Sequence, residues 1–354
     1  MKNSPQKIII DCERMKYPNT GLYHYCLQLG KALIELADAT EEELFFYVRE
    51  NEHGIFGEHV KYIHQHSLHK FIMPLGGNFN IWSKTYQGTM YNPSSRRIKS
   101  VLTIHDINFM HEGGKPPHKK RKYLKELQQK IDTASHIIAI SNFVLDDIKK
   151  HLNLSSKPIS VIYNGCNISD SIEAKKPVNI ATQPFLYSIG TIAEKKNFHV
   201  LPALLVNNNY QLIISGITQS AAYKLQIIDC AEQFGVADRV VFTGAISEAE
   251  KYWYYQHCEA FVFPSIAEGF GLPVIEAMHF GKPVILSTHT SLPEIGGSHA
   301  YYFQDFEPAN MQQTLFNSLA HYNQQNPQAA IKKWASQFTW QQAAIQYLNV
   351  YRTL

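Results

Sequence analysis

Hydrophobic residues recur along the first half of the chain in short β-branched runs, separated by longer stretches with helical periodicity. The runs predict strands near 7–11, 44–49, 60–64, 101–104, 136–140 and 159–162, and the longer stretches predict helices near 19–38, 118–133 and 142–151. This alternation is typical of a parallel sheet with crossover helices. The first half is therefore predicted to be a doubly wound α/β domain.

The alternation restarts after a polar segment at about 166–183 that contains proline and lysine. The second half has predicted strands near 185–190, 210–216, 239–242, 259–263 and 283–286, and predicted helices near 197–207, 219–235, 247–257, 272–281, 308–323 and from about 327 to 354. A chain of 354 residues exceeds what one compact core usually covers. We therefore expect two domains, with ligand bound where the carboxyl ends of their strands face each other across a cleft.

Composition supports a folded protein and excludes several functions. Apolar residues make up 45% and charged residues 18% of the chain, the opposite of the balance in disordered proteins. The net charge of +3 is too small to indicate a nucleic-acid partner. The five cysteines are scattered and never form a C-x-x-C pair, so we expect neither a disulfide framework nor a zinc site, and a reducing cytoplasm is the expected location. No apolar run is long enough for a membrane span.

A group of cations falls close together near the start of a predicted helix. Its members are Lys115, Lys119, Lys120, Arg121, Lys122 and Lys125. The group is either a solvated helix face or a contact with an anionic bilayer or phosphorylated lipid, where each charge contributes about 1 kcal/mol. Peripheral membrane attachment through Lys115 to Lys125 is expected to be weak and salt-sensitive.

The most informative stretch is Glu268-Gly-Phe-Gly-Leu-Pro-Val-Ile-Glu276-Ala-Met278, which follows an apolar run at 260–263. Pro273 suits the first turn of a helix, where its missing N–H costs nothing. The amides that would lie at the positive end of that helix are those of Phe270, Gly271 and Leu272. Such amides are suited to sugar or phosphate oxygens.

Two glutamates flank this turn. Glu268 precedes the predicted helix and can accept hydrogen bonds from ligand hydroxyls, while Glu276, one turn into the helix, can accept two vicinal hydroxyls elsewhere on the same ligand. The layout predicts a sugar-nucleotide site. The alternative is a buried strand-turn-helix joint with two solvated glutamates.

Several segments together resemble glycosyltransferase family 4, retaining enzymes of the GT-B fold. They are 103–106, 141–142, 161–165, 188–197, 268–278 and 338–340, in the family's order. The resemblance implies two Rossmann-like doubly wound parallel-sheet domains facing a cleft. Residues 1–175 would form an acceptor-binding domain and 176–337 a nucleotide-sugar donor-binding domain. Residues 338–354 would form a C-terminal helix that packs back on the first domain.

The resemblance also implies a donor site in the second domain. Lys196 follows the strand that ends at Gly190 and is the main candidate for stabilising the departing diphosphate, with Lys195 as its neighbour. The alternative for this pair is an exposed helix N-terminus, where the dipole disfavours cations. Thr191 lies where many relatives carry an arginine. The family places Glu268 against the donor sugar and Glu276 against the ribose.

Two residues of the first domain complete the predicted site. His105 follows the strand near 101–104, and the resemblance implies contact with the donor sugar, although a strand-end histidine is commonly structural. Gly21 precedes a predicted helix and lets the backbone approach a phosphate or sugar. No Asp-x-Asp follows a strand, and Asp11-Cys-Glu13 belongs to the first strand and loop, so we expect catalysis without a metal.

Donor and acceptor are predicted more broadly. The form of the loop at 190–197 resembles the mannosyl-transferring branch, so GDP-mannose is the first expectation for the donor, ahead of UDP-glucose, UDP-N-acetylglucosamine and dTDP-rhamnose. The acceptor is expected to be a glycan or lipid-linked saccharide. A nucleotide-sugar epimerase on the same scaffold is the alternative. The sequence has no pyridoxal-binding lysine motif, which disfavours a phosphorylase. It also has no G-x-G-x-x-G after the first strand, which disfavours a dehydrogenase. No cofactor beyond the donor substrate is expected.

Overall fold

The structure is a computed structural model that describes residues 4–18, 20–73, 78–93, 95, 97–113, 115–169, 171–178 and 183–354. The chain forms two units. Unit 1 comprises Met1–Gly165 and Thr339–Leu354, and unit 2 comprises Cys166–Phe338. Position 19 of the first predicted helix, and positions 170 and 179–182 of the predicted linker, lie outside the described residues.

Each unit is built on one parallel sheet. The strands of unit 1 are β1 (Gln6–Asp11), β2 (Glu42–Val48), β3 (Lys61–His64), β4 (Ile81–Lys84), β5 (Lys99–Ile104), β6 (His136–Ala139) and β7 (Ile159–Val161). Those of unit 2 are β8 (Phe185–Ile189), β9 (Gln211–Ser215), β10 (Val240–Gly244), β11 (Ala260–Phe263), β12 (Val284–Ser287) and β13 (Tyr301–Phe303). Among the described residues, the sheet orders are β3-β2-β1-β4-β5-β6-β7 and β10-β9-β8-β11-β12-β13. The predicted pair of parallel α/β folds is confirmed.

Helices connect the strands. They are α1 (Gly21–Leu36), α2 (Pro117–Thr133), α3 (Asn142–His151), α4 (Ala221–Gln233), α5 (Glu248–His257), α6 (Leu272–His279), α7 (Leu292–Gly296), α8 (Pro308–Gln325), α9 (Gln328–Ala335) and α10 (Trp340–Arg352). Hydroxyl side chains cap several of their N-termini: Thr20, Ser141, Ser220, Ser247 and Thr339. Such caps satisfy amides that have no partner within the helix.

Helix α10 is part of the hydrophobic core of unit 1. Its Tyr347 lies against α1 and accepts or donates a hydrogen bond of 2.8 Å with Thr103 of β5. One turn on, the Tyr351 hydroxyl donates to Ser83 of β4 at 2.7 Å. These buried bonds join the C-terminal segment to strands that lie far from it in sequence.

The chain leaves unit 1 at 165/166, whereas the sequence places the domain boundary at 175/176. The difference has a local cause. Gly165 has no side chain, and a Cβ there would lie 2.3 Å from the backbone nitrogen of Trp340. Directly afterwards, the amide of Cys166 donates to the carbonyl of Phe338 at 2.9 Å. The chain therefore changes unit at two neighbouring places, 165/166 and 338/339. The first of them precedes the polar segment that suggested the boundary.

Several elements differ from the predicted ones, among them α7 (Leu292–Gly296) and β13, which the prediction does not contain. Strand β4 is absent from the prediction because its fully buried sequence ends in Ser83 and Lys84, which mask the apolar run. Strand β13 has only three residues. The predicted helix at 197–207 is a 3₁₀ helix over Phe198–Leu205 that contains Pro202, a residue that cannot donate to a helical hydrogen bond.

Candidate active site

In unit 2, the loop after β8 is shaped by two glycines. Gly190 has φ +154°, and a Cβ there would lie 3.0 Å from Cε of Lys196, so the lysine chain passes directly over this residue. Gly216, at the end of neighbouring β9, has φ +138°, and its Cβ would lie 2.0 Å from the carbonyl oxygen of Gly190. The missing side chain of Gly190 therefore leaves room for Lys196, and that of Gly216 leaves room for the backbone of Gly190.

Lys196 and Glu268 form an ion pair at this edge. The Lys196 ammonium donates to Oε1 of Glu268 at 2.5 Å, and the hydroxyl of Ser265 donates to the same oxygen at 2.7 Å. The ammonium also lies 4.8 Å from the ring centroid of Phe263, the last residue of β11. Strands β8 and β11 are neighbours, which brings together two predicted residues 72 positions apart in sequence.

The pair is largely shielded from solvent, with 10% of the Lys196 side chain and 14% of the Glu268 side chain exposed. Burial by itself raises the pKa of Glu268, but the ammonium groups of Lys196 and Lys195 outweigh it and hold this pKa below its ordinary value. Glu268 is therefore a carboxylate at neutral pH. Thr191, between Gly190 and this pair, supplies no charge.

Hydrogen bonds with the loop after β12 hold the backbone at and after Glu268. The Glu268 amide donates to Oγ1 of Thr290 at 3.0 Å, and the Ser291 hydroxyl lies 3.0 Å from the carbonyl oxygen of Glu268 and 2.9 Å from that of Phe270. Gly271 then turns the chain with φ +109°, and Leu272 begins α6. The motif glutamate is thus held at both its side chain and its main chain.

Helix α6 starts as the sequence predicts. Pro273 lies in its first turn, and Gly271 provides no side-chain cap. The first-turn amides lie at the positive end of the helix dipole, which favours anionic or polar ligand atoms. The motif thus forms a helix start.

Glu276 is buried on the inner side of α6, with 4% of its surface exposed. The hydroxyl of Tyr255 donates to its Oε2 at 3.0 Å, and the ammonium of Lys251 lies 3.4 Å from its Oε1. Although burial lowers the pKa of Lys251, Glu276 and Glu248 raise it above its ordinary value. Sequence reasoning missed both partners, although their spacing of four places them on one face of α5.

In unit 1, His105 follows β5 and lies in a mostly aromatic environment. Its ring contacts Tyr25 edge-on with centroids 4.5 Å apart, and its Nε2 donates to the carbonyl of Thr85 at 2.7 Å. Burial lowers the pKa of His105 to about 4, and the nearby charge of Arg14 acts in the same direction. His105 is therefore neutral at physiological pH, with its proton on Nε2 and the lone pair of Nδ1 available as an acceptor.

The protonation of His105 predicts a pH effect on stability. As the pH falls from about 6.5 to about 4, an unfolded histidine takes up a proton that folded His105 does not, so the wild type loses free energy of unfolding. His105→Gln should lose less over this window. Denaturant unfolding at pH 7 and pH 4.5 measures the difference, and His59→Gln at an exposed position of the same unit is the control. Equal losses in the wild type and His105→Gln would contradict a neutral His105.

Asp11, at the end of β1, has a similar strand-end position. It accepts hydrogen bonds from the Thr89 hydroxyl at 2.8 Å and the Glu13 amide at 3.1 Å. Burial raises the pKa of Asp11 to about 7. Glu13 itself forms an ion pair with Lys16. The carboxylates of Asp11 and Glu13 are thus engaged by the protein.

Gly21 is the first residue of α1, directly after its cap. The Thr20 hydroxyl accepts a hydrogen bond from the Tyr23 amide, and, apart from its chain neighbours, no described residue comes within 4 Å of a Cβ built on Gly21. The helix start is therefore open at this point, as the predicted approach of a ligand requires. Gly21 and His105 belong to unit 1, whereas Lys196, Glu268 and Glu276 belong to unit 2.

Two family models match the chain in succession. The model described as Glycosyltransferase Family 4 matches residues 81–170, and the model described as Glycosyl transferases group 1 matches residues 170–318. The second match covers the Lys196 loop and the whole of the Glu268–Met278 motif.

Curated relatives extend this similarity. The chain is 25% identical over 384 aligned positions to O-antigen chain mannosyltransferase B of Escherichia coli, with 98% of this chain and 100% of that protein covered. It is 26% identical over 298 positions to O-antigen chain mannosyltransferase RfbU of Salmonella typhimurium, covering 77% and 79% of the two chains.

A solved structure shares the fold. HepE of Anabaena, in complex with UDP and glucose, superposes with a TM-score of 0.73 at 15% identity, over 99% of this chain and 100% of that one. This likeness concerns the fold, and the matched models and relatives concern the family. The chain belongs to the group 1 glycosyltransferases of family 4 and has their GT-B fold.

Proposed function

We propose that the protein is a retaining, metal-independent hexosyltransferase that moves mannose from GDP-mannose to a glycan or lipid-linked saccharide in surface polysaccharide or lipopolysaccharide synthesis. The observation that carries the proposal is the shielded ion pair of Lys196 and Glu268 at the end of the second sheet. A cation and a carboxylate held there suit a ligand that has both a diphosphate and sugar hydroxyls. The names of the O-antigen mannosyltransferases support the sugar and the type of product.

The proposed reaction is a front-face substitution. The bond from the anomeric carbon to the diphosphate breaks, and its electron pair stays on the phosphate oxygen. The acceptor hydroxyl attacks from the same face and passes its proton to that oxygen. Lys196, with Lys195, stabilises the charge that gathers on the diphosphate.

The other predicted residues have binding roles in this proposal. Glu268 orients the hydroxyls of the donor sugar, and the backbone of Phe270, Gly271 and Leu272 contacts sugar or phosphate oxygens. His105 offers the Nδ1 lone pair to a donor-sugar hydroxyl. Gly21 allows the backbone to approach the donor. Gly190 and Thr191 leave room beside the diphosphate.

Glu276 is proposed to bind the ribose, which predicts a specific kinetic defect. Each carboxylate oxygen has two lone pairs, so the bonds from Tyr255 and Lys251 leave acceptor capacity for the ribose hydroxyls. Glu276→Ala should weaken donor binding about 10- to 100-fold, while turnover at saturating donor changes less. Steady-state kinetics separate the two quantities, and Glu259→Ala, at an exposed residue, is the control. Loss of turnover with unchanged donor affinity would contradict this role.

The donor base is tested by thermal shift. GDP, UDP and dTDP are compared, because a ligand that binds only the folded protein raises its stability by RT ln(1 + [L]/Kd). Stabilisation by GDP and not by UDP supports the proposal. The UDP complex of HepE makes a UDP-sugar the competing donor.

Product analysis tests the reaction. Transfer from GDP-mannose should continue in excess chelator, and the product should keep the anomeric configuration of the donor by NMR. Inversion, or complete loss of activity that only a metal restores, would contradict the proposal. Incubation with donor alone tests the epimerase, which would isomerise the sugar without an acceptor.

A weak peripheral membrane contact through Lys115 to Lys125 remains part of the proposal. Glu112 offsets the charge of Lys115 in an ion pair, and the Lys120 ammonium donates to the carbonyl of Met110 at 3.0 Å, which holds it against the protein. Within the described ranges, no helix combines the length and apolarity needed to cross a bilayer.

A further inference from the structure

Arg14 lies in unit 1, in the 3₁₀ helix Glu13–Lys16 that follows β1. The central carbon of its guanidinium lies 4.8 Å from the ring centroid of Tyr17 and 4.7 Å from that of Tyr86. Its Nε is shielded from solvent and has no hydrogen-bond partner among the described residues. Among the described residues, the cation thus lies against aromatic rings, and its Nε has no acceptor.

Two other arginines, Arg239 and Arg352, have acceptors in the protein. Arg239 donates to backbone carbonyls of Leu205, Asn208 and Tyr210, and Arg352 forms ion pairs with Glu41 and Glu42. The carboxylate nearest to Arg14 in sequence, Glu13, is instead bound by Lys16. A guanidinium nitrogen that is buried without an acceptor is costly unless a ligand supplies an oxygen.

The rings hold Arg14 next to His105. Tyr86 lies over Gly88, where a Cβ would come within 2.1 Å of the ring, and its centroid is 6.4 Å from that of His105. After burial, the charge of Arg14 is a further cause that lowers the pKa of His105. The guanidinium therefore has a fixed place beside a residue of the candidate site.

We propose that Arg14 binds a phosphate group of a substrate through its guanidinium, beside His105 in unit 1. The planar fork of N–H donors matches phosphate oxygens in a bidentate manner, and ring contacts fix the fork before the ligand arrives. The inference rests on the proposed function, which supplies two sources of this chemistry. One is the diphosphate of the sugar-nucleotide donor, and the other is a diphosphate that carries a lipid-linked acceptor.

The test uses the whole protein and four ligands. Calorimetry gives Kd values for GDP and farnesyl diphosphate and for their phosphate-free counterparts, guanosine and farnesol. Arg14→Met keeps a long side chain against the rings without the charge, Arg14→Lys keeps the charge without the fork, and Arg49→Met, at an exposed arginine of the same unit, is the matched control.

Arg14→Met should weaken binding of at least one diphosphate tenfold or more while its phosphate-free counterpart binds unchanged, and Arg14→Lys should recover only part of the loss. A loss for GDP identifies the donor as the source, and a loss for farnesyl diphosphate identifies the acceptor. Unchanged Kd values for both diphosphates, with or without a fall in Tm, would show that Arg14 only packs and would overturn the inference. A wild type that binds no nucleotide would instead overturn the proposed function.

Discussion

Glu268→Gln is expected to reduce turnover about 100- to 1,000-fold, the range for loss of one preorganised polar group in an active site. The amide keeps the shape of the side chain but removes the charge that faces Lys196. It also changes the strength of the hydrogen bond that Glu268 accepts from Ser265. The variant therefore alters both the orientation of the proposed donor sugar and the charge beside its diphosphate. Turnover is measured at saturating donor so that a change in affinity does not conceal the effect.

Glu259→Gln is the matched control for Glu268→Gln. It makes the same chemical change at an exposed position of unit 2, just before β11, and should keep wild-type turnover. Normal turnover and normal donor affinity in Glu268→Gln would show that Glu268 does not take part in donor binding or catalysis. A loss of turnover accompanied by an equal loss in the control would instead indicate a general effect of amide substitution in this unit.

The sequence was sufficient for the motif but not for its contacts. The turn, the helix start at Leu272 and Pro273 and the loop at Lys196 follow from local chemistry, because proline restricts the backbone and glycine allows conformations that other residues avoid. The pairing of Lys196 with Glu268 depends on β8 lying beside β11, and their connection passes through β9 and β10. Strand order is a tertiary property, which no local pattern specifies.

The sequence contains a pattern that could have indicated the partners of Glu276, Lys251 and Tyr255. Lys251 and Tyr255 lie one helical turn apart, so both face the same side of α5. Their direction toward α6 becomes apparent only when the helices are packed. Arg14 was missed for a related reason, because its ring contact Tyr86 follows β4, a strand whose short, partly polar sequence gave no clear pattern.

The ion pair of Lys196 and Glu268 also predicts that the stability losses of substituting each residue are not additive. Removing one partner of a buried pair leaves the other charge uncompensated and typically costs about 3 kcal/mol. Lys196→Met and Glu268→Gln should therefore each lower the free energy of unfolding, and the double variant should be more stable than the sum of the two losses predicts. Turnover should stay low in all three variants, because the double variant restores neutrality without restoring the cation that faces the diphosphate.

The pH dependence of Lys196→Met gives an independent check on this coupling. In the wild type, the pKa of Glu268 is lower in the folded than in the unfolded protein. This difference stabilises the fold at pH values above the ordinary pKa of glutamate, and the stabilisation is lost as the pH falls through the pKa of the folded protein. Without Lys196, burial remains and favours protonated Glu268, so the deficit of Lys196→Met against the wild type should shrink as the pH falls from 7 toward 4.5. Denaturant unfolding at these two pH values measures the deficit, with Lys224→Met, at an intermediate-exposure lysine of α4, as the control. A deficit that is the same at both pH values, together with additive losses in the double variant, would show that the two charges are not coupled.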